Sequence, residues 1–227
     1  MLLAMSDIFR SEPVNALAKS KAWVELQEIV GPETIKTSVR SLTDTIQTNY
    51  RRELAEEPIT QYSLNRVFLG NSGTGKTTVA KLYGQVLADL GLLSNGELVV
   101  KNHSDFSGYV ISQSEQLTKD ILTTWMGMIL VVDEAYGVYA SKASSGRRSG
   151  SFDLFRAVVI DTIVAEVQNL LSDDRRVFLL RFKDQMEEMF QNVDSNLARR
   201  LSIGSVFEFH NFAQGELAII LDTKLKK

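Results

Sequence analysis

Apolar residues recur every three or four positions through the first quarter of the chain and then give way to short continuous runs. Residues 14–30, VNALAKSKAWVELQEIV, place Val14, Leu17, Leu26 and Ile29 at helical spacing, and Gly31-Pro32 closes the segment. Ile35, Val39, Leu42, Ile46, Tyr50 and Leu54 then form one stripe of a second, amphipathic helix, which Pro58 ends. Beyond it, apolar runs at 66–70, 97–101, 128–134, 175–182 and 205–209 read as strands. The segments at 76–90, 114–125 and 152–171 read as helices between them. Strands that are apolar without interruption and alternate with helices predict an α/β fold, a parallel sheet covered on both faces. The chain thus divides into an N-terminal helical segment, 1–58, and an α/β core, 59–227. Residues 141–151, SKASSGRRSGS, carry no large apolar group and are expected to form a mobile loop.

Composition narrows the function classes. The 227 residues are 44% hydrophobic and 23% charged, ordinary for a globular protein with one sizeable core. A net charge of −3 provides no global basic field, so no nucleic-acid partner is expected. The absence of cysteine excludes disulfides and thiolate metal sites, and two histidines, His103 and His210, are too few for a histidine-rich metal centre. The opening MLLAMSD has no basic region before its apolar residues, and the later run at 128–132 is far too short to cross a bilayer. The expectation is an intracellular, soluble protein, cytoplasmic or nuclear, with no membrane partner.

The chemistry begins at residues 68–84, FLGNSGTGKTTVAKLYG. The spacing G-x-x-x-x-G-K-T sets Gly70, Asn71, Ser72, Gly73, Thr74, Gly75, Lys76 and Thr77, followed by Thr78, between a buried strand and a helix. Glycines let several backbone N–H groups converge on one anion; a lysine adds a point charge, and the helix start adds the positive end of its dipole. A second signal is MILVVDEA, whose apolar run delivers Asp133 and Glu134 to the carboxyl end of a strand, where open α/β sheets bind ligands. Asp133 with the Thr77 hydroxyl suits Mg²⁺, and Glu134 suits polarisation of an attacking water. Two acids capping a strand at the surface are the alternative for this pair. The Asp-Glu pair favours hydrolysis over phosphotransfer to an acceptor hydroxyl. The absence of a guanine-reading N-K-x-D box favours ATP.

LNRVFLGNSGTGKTTVAKLYGQVLADLGLL, DFSGYV, ILVVDEAYGVY and DQMEEMFQNVDSNLARR together resemble an AAA+ ATPase over roughly residues 26–221. The resemblance is to the CbbX/CfxQ type, which includes red-type Rubisco activase and the stage V sporulation protein K relatives. It implies a P-loop NTPase core, the AAA+ large subdomain, with five parallel strands in the order 5-1-4-3-2. It also implies ring oligomers of neighbouring AAA+ subunits that use ATP and Mg²⁺ to remodel a protein substrate, whose identity the sequence does not give. Carried over by position, residues 70–77 are Walker A and residues 128–134 Walker B. Arg200, with Arg199 as the alternative, stands where the family places an arginine finger that reaches a neighbour's ATP; a solvated helix end is the other reading of the two arginines. Catalytic roles therefore fall to Lys76, Glu134 and Arg200.

Departures from the family pattern set a rival reading. Ser72 replaces a common proline of the loop. Phe182 falls at or near the polar sensor after the fourth strand, with Arg181 and Lys183 beside it. In the segment aligned with the pore loop, Val110 takes the aromatic's place and Tyr109 precedes it. The sequence runs out where the family's helical lid would begin, so the expected fold lacks that lid and a sensor-2 arginine. The rival is a nucleotide-binding interaction module with little or no hydrolysis.

Overall fold

A computed structural model describes residues 13–106, 111–125, 127–133, 159, 162–163, 165, 174–181 and 206–225. The expected loop at 141–151, Tyr109, Val110, Phe182 and Lys183 lie outside these residues, as does most of the segment expected to be helical at 152–171.

Three helices come first: α1 (Pro13–Lys19), α2 (Lys21–Glu28) and α3 (Glu33–Leu54). The first two were expected as one. Ser20 divides them because its backbone is extended (φ −70°, ψ 116°) and its side chain accepts a hydrogen bond from the Trp23 N–H at 3.0 Å. That N-cap restarts the helix in a new direction. Ser20 Oγ also donates to Asp89, across 69 residues, so the break is anchored from outside. In α3 the stripe Ile35, Val39, Leu42 and Ile46 is buried as its spacing requires. Its last two members depart from the expectation, since Tyr50 is half-buried and Leu54 is 68% exposed. Asn49 ends the contact instead: buried, it donates to Thr60 O and accepts from Thr60 N, both at 2.9 Å, and so holds the returning chain.

The strands are β1 (Arg66–Gly70), β2 (Leu98–Asn102), β3 (Ile129–Asp133), β4 (Arg176–Arg181) and β5 (Val206–Phe209). They form one parallel sheet in the order β2-β3-β4-β1-β5, which is 5-1-4-3-2 read from the other edge. Helix α4 (Lys76–Asp89) follows β1, a 3₁₀ turn (His103–Phe106) follows β2, and α5 (Ile111–Thr124) leads towards β3. Beyond β5 the chain continues as α6 (Gln214–Leu225), to which the apolar periodicity assigned no element. Its apolar residues do not fall on one face, so no helical period marks it; Leu217, Ile219, Leu221 and Leu225 are all exposed.

Period-two alternation sends neighbouring residues of each strand to opposite faces, and both faces are buried. Phe68, Ile129, Val131, Phe178, Leu180 and Phe207 meet α2, α3 and α4 on one side. Val67, Leu69, Leu130, Val132, Val177 and Leu179 meet Phe106, Leu122, Trp125, Val159 and Ile163 on the other. Phe68 is the hub of the first cluster, with ring centroids 5.2 Å from Phe178 and 5.4 Å from Phe207. Tyr83 of α4 closes the set at 5.7 Å from Phe178 and 5.6 Å from Phe207. Among the described residues no helix is long and apolar enough to cross a membrane.

Helix α4 lies against the sheet through Gly84, where a Cβ would stand 2.9 Å from Gly96 O and collide with the Ile129 side chain. Gly84→Ala therefore overpacks a backbone contact, and the roughly 1 kcal/mol gained in helix propensity does not offset it. We expect a loss of about 1–3 kcal/mol in urea unfolding. Gly215→Ala in α6, where nothing lies within 4 Å of a new Cβ, is expected to be neutral or slightly stabilising in the same assay.

Candidate functional site

The site is built where β1 stops. Gly70 pairs with Phe209 as the last β1–β5 partner, and a Cβ on Gly70 would lie 2.5 Å from Phe209 O. Only glycine lets the two main chains approach so closely. Five residues later Gly75, at φ +86°, is the N-cap of α4, and a left-handed residue there turns the chain into the helix. No side chain caps that helix, so its first turn presents N–H groups and the positive end of its dipole to the loop in front of it. An anion is the natural cap for such an end.

The side chains of the loop complete the cradle. Thr74, buried, donates through Oγ1 to Asn71 O at 2.8 Å and closes the loop on itself. Lys76 folds back over it, its Nζ donating to Gly70 O at 2.7 Å and to Asn71 O at 2.8 Å. These carbonyls hold the ammonium beside the loop, ready to be exchanged for stronger, charged acceptors. Ser72, Gly73, Thr77 and Thr78 are exposed, and the two threonine hydroxyls lie in the first helical turn.

Asp133 closes β3, level with Asn102 on β2 and Leu180 on β4; Leu180 is in turn level with Phe68 on β1. Two strand spacings, about 10 Å, separate the Asp133 backbone from that of β1. A part-exposed carboxylate at this end of the sheet and the Thr77 hydroxyl at the start of α4 therefore flank the same carboxyl edge. This is a fitting donor set for an oxygen-preferring ion that keeps several of its waters. Glu134, Arg199 and Arg200 lie outside the described residues.

A cleft of about 100 Å³ adjoins the loop and was not foreseen. Thr74 and Val79 form its inner side; Ile29, Val30, Gly31 and Pro32 form one wall, and residues 208–212 the other. Gly31 turns the first wall with φ +106°, within reach of the Phe212 ring at 3.7 Å from a would-be Cβ. The sequence offered one pointer. Residues 210–212 follow the carboxyl end of a strand, where ligands bind, whereas Gly31-Pro32 read only as a helix stop.

Comparisons with known proteins agree with this geometry. The model of the ATPase family associated with various cellular activities (AAA) matches residues 66–208, from the first residue of β1 to the next-to-last of β5. Stage V sporulation protein K of Bacillus subtilis (strain 168) is 30% identical over 192 residues, which cover 84% of this chain and 56% of that protein. Protein CfxQ of Xanthobacter flavus is 32% identical over 200 residues, covering 88% and 59%. The chloroplastic ribulose bisphosphate carboxylase/oxygenase activase of Cyanidioschyzon merolae is 28% identical over 194 residues, covering 86% and 62%. The chain thus spans about half to three fifths of the length of these relatives. A G-x-x-x-x-G-K-T loop on a 5-1-4-3-2 parallel sheet and a family match that runs from β1 into β5 lead to one assignment: the chain belongs to the ATPase family associated with various cellular activities (AAA), in its CbbX/CfxQ group.

Proposed function

We propose that the chain binds ATP with Mg²⁺, hydrolyses it, and couples hydrolysis to the remodelling of a protein partner within an oligomeric ring. The observation that carries this reading is the cradle itself: an uncapped helix N-terminus, with Lys76 held over the loop by two carbonyls that a phosphate can replace. In this reading residues 70–78 receive the phosphates, and Lys76 moves from Gly70 O and Asn71 O to a phosphate oxygen. The base enters the adjoining cleft, between Val30-Gly31 on one side and His210 and Phe212 on the other. Thr77 and Asp133 hold the Mg²⁺, which when bound neutralises charge on the phosphate oxygens. Glu134, next after Asp133, accepts a proton from the attacking water. Arg200 of a neighbouring copy stabilises the charge that develops on the transferred group. The relative named as a Rubisco activase supports a protein substrate, without saying which protein this chain acts on.

Lys76→Ala is expected to weaken ATP–Mg²⁺ binding several-fold or more, because a charge-assisted contact is about twice as strong as a neutral one. Calorimetric titration reads this directly, and unchanged affinity would remove the phosphate-site reading. Glu134→Gln keeps the shape of the side chain but cannot take a proton. We expect binding to persist while single-turnover hydrolysis falls by about 10²–10⁴. Unchanged turnover would assign Glu134 a structural role, and absent turnover in the parent would favour the nucleotide-binding module without hydrolysis.

The arginine finger is tested by mixing. Lys76→Ala subunits bind nucleotide poorly but carry Arg200; Arg200→Ala subunits bind nucleotide but lack the finger. Mixed at high concentration, the two are expected to recover hydrolysis that neither shows alone, and the parent's rate per chain is expected to rise with concentration. An inactive mixture, with a parental rate independent of concentration, would exclude a finger acting between subunits.

A further inference from the structure

The phosphate loop is registered twice onto the segment that leaves β5. Gly70 meets the Phe209 main chain, and the next loop residue, Asn71, donates from Nδ2 to Asn211 Oδ1 at 2.9 Å, across 140 residues of sequence. We infer that Asn211 is a positioning residue for nucleotide binding: through Asn71 it holds the entrance of the phosphate loop in its binding-ready setting. The inference rests on the nucleotide reading above and deepens it.

The argument follows the bonds made by Asn71. Its carbonyl oxygen accepts from Thr74 Oγ1 and from Lys76 Nζ, both at 2.8 Å. Phosphate competes for the second of these, because Lys76 gains a charged acceptor in exchange for a neutral one. When the lysine leaves, Asn71 is held by Thr74 from within the loop and by Asn211 from outside it. Ser72 follows, with no ring to fix its backbone, so the peptide between Asn71 and Ser72 depends on these anchors. The Asn71 side chain is exposed, and its engagement with Asn211 restricts a rotamer that solvent would otherwise leave free. A loop held in place before the ligand arrives loses less entropy on binding, and the difference returns as affinity.

The bond's polarity makes the inference testable by exchange of single atoms. Asn71 donates and Asn211 accepts, so Asn211→Asp keeps an acceptor oxygen while Asn211→Ala removes it. The experiment is calorimetric titration with ADP and Mg²⁺ of the parent, Asn211→Ala, Asn71→Ala, the double alanine variant and Asn211→Asp. Each single alanine variant is expected to bind about three-fold or more weakly, the range for one net hydrogen bond. The double variant is expected to be no weaker than the poorer single variant, because both remove the same interaction. At high salt, which screens the added carboxylate from the phosphates, Asn211→Asp is expected to bind more tightly than Asn211→Ala, and the thermal midpoints of all five without nucleotide to coincide within error.

Parental affinity in Asn211→Ala would overturn the inference, and so would alanine losses that simply add. A general packing defect would weaken Asn211→Asp as much as Asn211→Ala and lower both midpoints; that result also overturns it. A parent that binds no ADP overturns the nucleotide reading and the inference together. A parent that binds, with Lys76→Ala defective and Asn211→Ala normal, overturns the inference alone.

Discussion

Strand β1 is hydrogen-bonded to β4 on one edge and β5 on the other, and its side chains are buried on both faces of the sheet. It has no freedom to slide: a shift of one residue would exchange Phe68 for Val67 or Leu69 and misplace its aromatic contacts with Phe178 and Phe207. The end of β1 is therefore a fixed point, and the loop that grows from Gly70 inherits that rigidity. Helix α4 is fixed in turn, through Tyr83 in the same aromatic cluster and through the backbone approach of Gly84 to Gly96. The loop is held between two immobile ends, so its N–H groups need little rearrangement to meet an anion.

The N-terminal helices contribute to the site as well as to the core. Helices α2 and α3 cover one face of the sheet and α4, and the turn between them carries Ile29, Val30, Gly31 and Pro32 to the cleft beside Thr74. Ser20 sets the direction of α2 by capping it and by its bond to Asp89 at the far end of α4. The direction of α2 thus bears on where the 29–32 turn meets the loop. The helical segment and the α/β core, separable by pattern, share one apolar cluster and one cleft.

What could be read from the chain alone was whatever depends on neighbours in sequence. The G-x-x-x-x-G-K-T loop is a local spacing, and β1 and β3 are local apolar runs that end at Gly70 and at Asp133. Features made by distant segments left no such mark. The cleft joins residues 29–32 to residues 208–212, and the Asn71–Asn211 bond joins two unremarkable amides. The break at Ser20 was hidden because the apolar spacing continues across it and only the cap reveals the change in direction. Leu54 fits the α3 stripe by period but lies a turn beyond Asn49, where the chain has already turned back against the helix. Helix α6 carries apolar residues on all sides, and a periodicity argument has no contrast to work with there.

The strand order also governs when the site can exist. Strand β1 and its loop are made early, but both of their sheet partners, β4 and β5, come from the last third of the chain. The partners Asn71 and Asn211 are 140 residues apart, roughly 7–28 seconds of synthesis at about 5–20 residues per second. Until β4 is made, Phe68 and its apolar neighbours have no adjacent strand to join, and until β5 is made the glycine-rich turn lacks its second support. A nascent chain of this topology carries the loop sequence before the loop's supports, and its apolar β1 is prone to associate wrongly until β4 and β5 flank it.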